Sequence, residues 1–203
     1  MAIHFNCLSI KLKRTLLLIG LFFPLLLHPA KLPNVRITGI HGPLLLNVQH
    51  RLGELYQGKS LAQQPQDELH TQVAKAMQPY GYFKASISIN TTDGQLRIQI
   101  SPGPQLRITT LTVKFTGEGA NNIDLLRALH TLPIHVGQPF ESDLYEQAKN
   151  NLSSAAQDQG YLHASFATSQ LLIDTSRYTA DIVLILNTGP RFYFGQIKFD
   201  LLV

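Results

Sequence analysis

Along residues 83–100 apolar and polar positions alternate. Phe83, Ala85, Ile87 and Ile89 fall on one side and Lys84, Ser86, Ser88 and Asn90 on the other. After TTDG at 91–94, Leu96, Ile98 and Ile100 return with Arg97 and Gln99 outward. A period of two marks a half-buried strand, and the polar Asp-Gly turn joins the two runs into a hairpin. Upstream the period changes. Leu45, Val48, Leu52 and Leu55 recur at three- and four-residue spacing behind Pro43, which a first helical turn tolerates. Leu69, Val73 and Met77 form a second stripe, with Asp67 and Glu68 at the end where the helix dipole favours acids. Val35, Ile37 and Ile40 open the stretch as a short strand. The predicted order is strand, helix, helix, strand, strand: a small sheet whose one apolar face the helices cover.

The same grammar occurs twice. QPYGYFKASI at 78–87 is echoed by QDQGYLHASF at 157–166, which sets Gly81-Tyr82 and Gly160-Tyr161 79 residues apart. A second marker, SPGPQLRI at 101–108, is echoed by NTGPRFYFGQI at 187–197, an offset of 86 from Gly103 to Gly189, so the second copy holds seven extra residues. An alternating run follows each Gly-Pro: Leu111, Val113 and Phe115, then Ile197, Phe199 and Leu201. In the second copy Ser142 is a predicted N-cap assisted by Asp143, and Leu144, Ala148, Leu152 and Ala155 are the predicted buried face. The return strand IVLIL at 182–186 is apolar on both faces and is predicted to be the more enclosed. Gly81 and Gly160 each stand just past the last apolar helical residue, where a left-handed backbone ends a helix.

Charge and cysteine usage narrow the function classes. The net charge of +4 falls to +1 without Lys11, Lys13 and Arg14, which lie in an acid-free N-terminal stretch. The basic balance is therefore local, and nucleic acid is not an implied partner. KLKR precedes LLLIGLFFPLLL, Leu16 to Leu27, and then His28-Pro29-Ala30. A basic region before a short apolar run describes a secretory signal peptide over residues 1–30. Twelve residues interrupted by Pro24 fall short of the roughly 20 that a spanning helix needs. The alternative is an uncleaved anchor, since His28 is not the small residue that cleavage favours. The lone Cys7 lies inside this segment, so the exported part has no disulfide framework and no thiolate chemistry.

No motif carries covalent chemistry. His130 and His135 straddle Pro133 and share no helical face; His41 and His50 flank a helix without a carboxylate at metal-ligand spacing; His163 replaces Lys84 on the polar side of the repeat. Gly117-Glu118-Gly119 lacks the remainder of a phosphate loop, and no G-x-S-x-G elbow exists. Asn90-Thr91-Thr92 and Asn151-Leu152-Ser153 match a glycosylation pattern with meaning only in a eukaryotic secretory pathway. No catalytic, metal-binding or cofactor-binding residue is assigned.

GYFKASISI and SPGPQLRI resemble the POTRA (polypeptide-transport-associated) domain. GQPFESDLYEQAKNNLSSAAQDQGYLHASF with ADIVLILNTGPRFYFGQIKFD is similar to the second POTRA of the TamA family, the outer-membrane component of the translocation and assembly module and a relative of BamA and the two-partner secretion transporters. The resemblance implies an α+β fold of tandem β-α-α-β-β POTRA modules, each a three-stranded mixed sheet covered on one face by two helices. It divides the chain into a first module at 33–108, a second at 109–194, and the opening strand of an incomplete third at 195–203. Family members continue through a third POTRA into a membrane β-barrel, which this sequence does not reach. The implied role is a periplasmic scaffold of a Gram-negative outer-membrane assembly and autotransporter-secretion factor. It would dock a TamB-like, inner-membrane-anchored partner and nascent outer-membrane polypeptides, without cofactors and without catalysis. The implied partner-binding edges are Phe83, Lys84, Ala85, Ser86, Ile87, Ser88 and Ile89 in the first module. In the second they are Leu162, His163, Ala164, Ser165, Phe166, Ala167 and Thr168. Alternatives are an inner-membrane-anchored POTRA adaptor and, in another class, a periplasmic enzyme.

Overall fold

A computed structural model describes residues 34–56, 60–193 and 195. The expected export segment, and the expected third opening strand apart from Gly195, lie outside them. Strand β1 (Val35–Thr38) leads into α1 (Gly42–Tyr56) and α2 (Gln66–Met77), then β2 (Ser86–Thr92) and β3 (Gln95–Ser101). The second unit runs β4 (Arg107–Thr116), α3 (Ile123–Leu129), α4 (Ser142–Asp158), β5 (Ser165–Asp174) and β6 (Thr179–Asn187). Each unit folds into its own mixed sheet, in the orders β1-β3-β2 and β4-β6-β5. The first strand is parallel to the central one and the third is antiparallel to it. This is the α+β, β-α-α-β-β architecture implied by the resemblance.

The central strands carry the cores because both their edges are paired and one face is apolar. Leu96, Ile98 and Ile100 of β3 are buried with Val48 and Leu52 of α1 and Leu69, Val73 and Met77 of α2. Ala180, Ile182, Leu184 and Leu186 of β6 are buried with Leu125 of α3 and Ala148, Leu152 and Ala156 of α4. Val183 and Ile185, on the opposite face of β6, are half-buried, as the doubly apolar run predicts. Leu106 and Ile108 pack into the second core, so the packing seam falls before residue 108.

Several local expectations shift. The buried stripe of α4 is Tyr145, Ala148, Leu152 and Ala156, spaced three, four and four, while Leu144 and Ala155 flank it half-buried. Ser142 is the first helical residue of α4; the capping position is Glu141, in extended conformation and without a side-chain cap bond. Helix α3 was not legible, since only Leu125 is buried while Ile123 and Leu126 face outward. Its start is fixed by Asn122, whose Oδ1 accepts from the Asp124 and Leu125 amides at 2.9 and 3.3 Å.

The β5–β6 turn is an acid-sensitive element. The Asp174 carboxylate accepts from the Ser176 hydroxyl and from the Ser176 and Arg177 amides, and it pairs with Arg177 Nε at 2.9 Å. The Ser176 hydroxyl first, and then the two amides, pull its pKa from the ordinary 3.8 to about 2. A carboxyl depressed on folding stabilises fully above its unfolded value, and that contribution fades as the pH falls through the folded one. The window therefore runs from about pH 4 down to about pH 2. Asp174→Asn should flatten the fall in urea stability across this window; a slope identical to that of the wild type would contradict the assignment.

Candidate functional site

Strand β2 lies at the edge of the first sheet and pairs with β3 without interruption, from Ser86 opposite Ser101 to Thr92 opposite Gln95. An outermost strand leaves half of its backbone donors and acceptors facing away from the sheet. Beside it, α2 and β2 enclose a groove of about 140 Å³ lined by Gln66, Asp67, His70, Ile87 and Ile89. Ile87 and Ile89 are half-buried, so the apolar row of the strand continues to the edge. An added strand could continue the ladder there and drop alternate side chains into the groove.

The corresponding edge of the second module is built differently. Strand β5 slips register between Phe166 and Thr168, leaving Ala167 as a bulge. Such a bulge bends and twists an edge away from further pairing. The Tyr145 hydroxyl from α4 meets Ser169 Oγ at 3.0 Å and spans the space that is open in the first module. Lys149 Nζ sits 5.3 Å from the Tyr145 ring centroid and 2.9 Å from Glu146, holding the tyrosine in place. The remaining edges are less available. β1 has only four residues, and the start of β4 is capped by the segment before α4, where Gly137 N donates to Ile108 O at 2.7 Å and Phe140 N to Leu106 O at 2.9 Å.

Residues 83–85 and 162–164 precede their strands and serve the joints that follow each Gly-Tyr. Phe83 packs against the second core, and Lys84 Nζ lies 5.6 Å from the Tyr178 ring centroid, while Ala85 packs against the first core. Gly81 has φ 80°, its carbonyl accepts from Leu106 N at 2.9 Å, and Gln105 Nε2 donates to Tyr80 O at 2.8 Å. The second copy repeats this knot: Gly160 has φ 84° and its carbonyl accepts from Phe192 N at 2.8 Å. There Leu162 is 58% exposed, His163 stands edge-on to Phe192 at 4.8 Å, and Ala164 N donates to Tyr161 O at 3.1 Å. Ser165 to Thr168 form the first part of β5.

A cleft of about 480 Å³ opens at the joint between the modules, between Ile40 and Leu44 on one side and Tyr80, Glu141 and Asp143 on the other. Burial first, then the Asp143 and Glu141 carboxylates, push the Tyr80 hydroxyl above its ordinary pKa. Among the described residues no three of His, Cys, Asp and Glu gather to hold a metal ion, and no helix is long and apolar enough to cross a membrane. By the sequence repeat alone the two edges look equivalent. The available signal was a slip of phase in β5, where inward positions pass from Phe166 to Ser169, Leu171 and Ile173.

The family model for POTRA domain TamA domain 1 matches residues 34–102, and a second POTRA model, described as surface antigen variable number repeat, matches 111–189. Among solved structures the chain is similar to Haemophilus influenzae BamA POTRA3-5, at 17% identity and a TM-score of 0.41, over 77% of this chain and 65% of that one. It is also similar to POTRA1-3 of the periplasmic domain of Omp85 from Anabaena, at 15% identity and a TM-score of 0.39, over 75% and 58%. It thus spans just under two thirds of the first of these relatives. With two modules of the expected architecture, each matched in chain order by a POTRA family model, the chain is built of two tandem POTRA domains, the first of which matches the TamA domain 1 model.

Proposed function

We propose that this chain is the periplasmic POTRA arm of an outer-membrane assembly and translocation factor, and that it receives extended partner segments along β2. One observation carries the reading: the uninterrupted outer edge of β2 beside the open α2 groove. Main-chain bonding along such an edge gives affinity with little sequence demand, as a scaffold for varied outer-membrane clients requires. A TamB-like protein anchored in the inner membrane and nascent outer-membrane polypeptides are the partners proposed for it. The match of the first module to a TamA domain 1 model supports the choice of family partner. Binding of this kind needs no cofactor and breaks no covalent bond. Export to the periplasm by the segment at residues 1–30 belongs to the same proposal, as does the opening of a third module after Gly189-Pro190.

The β5 edge takes a lesser part, because its bulge and the Tyr145–Ser169 bridge oppose pairing. Ser86→Pro tests the reading. Proline is tolerated at the first residue of an edge strand but removes a donor and blocks the approach of a neighbour. Partner binding should weaken about tenfold, the equivalent of roughly 1.4 kcal/mol, with the melting temperature nearly unchanged. Full binding by the variant, or its unfolding, would sink the edge assignment.

A further inference from the structure

The outer face of the first sheet, turned away from the helices, carries chemistry that the edge does not use. Strand register sets two rows of side chains across it. Arg36, Arg97 and Asn90 form one, and Thr38, Gln99 and Ser88 form the next. All six line one trough of about 250 Å³. Each can donate a hydrogen bond, and none is a carboxylate. Among the described residues neither arginine has a salt-bridge partner, and Arg97 Nε reaches only the Gln95 amide oxygen, at 3.4 Å. Like charges on directly paired positions of neighbouring strands are destabilising. Sheet stability therefore does not account for an arginine opposite an arginine.

The second module supplies an internal control. By the offset of 86 between the Gly-Pro markers, Val183 stands where Arg97 does, and the matching rows are Thr112, Val183, Gln170 and Lys114, Ile185, Thr168. The next row holds a carboxylate, Asp181, which accepts from the Thr109 hydroxyl at 2.8 Å. The paired guanidiniums are thus specific to the first module and are not demanded by the shared fold.

We infer that the Arg36–Arg97 trough binds a phosphate group displayed by an anionic phospholipid. The planar guanidinium forks match phosphate oxygens in pairs, and Thr38, Gln99, Ser88 and Asn90 supply donors around an acceptor-only group. The trough lies open on a sheet face, so a head group held at a surface reaches it directly. Basic residues near an anionic leaflet add an attraction that decays within about a Debye length, roughly 8 Å at physiological salt. The site lies on the sheet face and not along the outward side of β2, so it stands independently of the edge reading.

Amide shifts of the whole chain, titrated with dihexanoyl phosphatidylglycerol below its micelle concentration, test this locally. Saturable shifts are expected at Arg36, Asn90 and Arg97 and not in the Thr112–Val183 row, with affinity falling at least about tenfold in the double variant Arg36→Gln, Arg97→Gln. Dihexanoyl phosphatidylcholine, which bears no net charge, should bind correspondingly weakly. Relief of repulsion predicts that the double variant melts no lower than the wild type. Four results would overturn the inference: equal binding of the two lipids, unchanged affinity in the double variant, a lower melting temperature indicating a structural role, or inorganic phosphate alone saturating the same amides more tightly than the lipid.

Discussion

Gly81→Val is expected to be the most damaging single substitution at the joint. Its φ of 80° is a backbone region that β-branched residues rarely adopt, and a Cβ built there lies 2.8 Å from the Phe140 carbonyl oxygen. Strain at such a position costs on the order of 1–3 kcal/mol, and the backbone overlap adds to it because a carbonyl cannot move aside as a flexible side chain can. For a unit of this size each kcal/mol shifts the melting temperature by roughly 4–8 °C, so a fall of about 10 °C or more follows. Gly94→Val separates the two causes, since Gly94 also has positive φ, 71°, but a Cβ built there meets no atom within 4 Å beyond its chain neighbours. The Gly81 variant should fall further in thermal melts; equal falls would remove the carbonyl contact from the account. Gly160, with φ 84° and the Phe192 carbonyl 2.7 Å from its Cβ, should respond to valine in the same direction.

The second large effect is expected at Leu106→Ala. Leu106 is fully buried, its N–H donates to Gly81 O, and its carbonyl accepts from Phe140 N. Its side chain belongs to the second core while its amide is bonded to the end of the first module. Truncating a buried leucine costs roughly 2–5 kcal/mol, depending on how far the site collapses. Urea titration should show that loss in the second module. The equilibrium slope should stay the same if the native fold is retained. A loss below about 1 kcal/mol would mean that the joint is not packed as described.

The periodicities at 45–55, 69–77 and 83–100 were sufficient for the fold of the first module, because there one apolar face maps onto one sheet face. The repeat then carried that reading onto the second module. What escaped was governed by contacts between distant segments. Helix α3 buries one leucine and so shows no stripe. The alternation from Phe83 onward looks like strand, yet Phe83 and Lys84 are drawn to the second module, and β2 begins only at Ser86. The Tyr145–Ser169 bridge joins residues 24 apart and has no local signature. The Ala167 bulge did leave one, a slip of phase along β5, and it distinguishes two edges that the repeated Gly-Tyr makes look alike. The outward arginines were legible individually, but their pairing depends on the parallel register of β1 with β3.

Strand β2 is proposed as an open edge that accepts a strand, and β5 as a closed one. Amide hydrogen exchange of the whole chain, with and without a peptide of the last strand of an outer-membrane barrel protein, addresses this directly. Protection should rise at least about tenfold at outward-facing amides within Ser86–Thr92 and stay unchanged within Ser165–Asp174, each factor of ten corresponding to about 1.4 kcal/mol of added stability. Unchanged protection along β2, or an equal rise along β5, would contradict it.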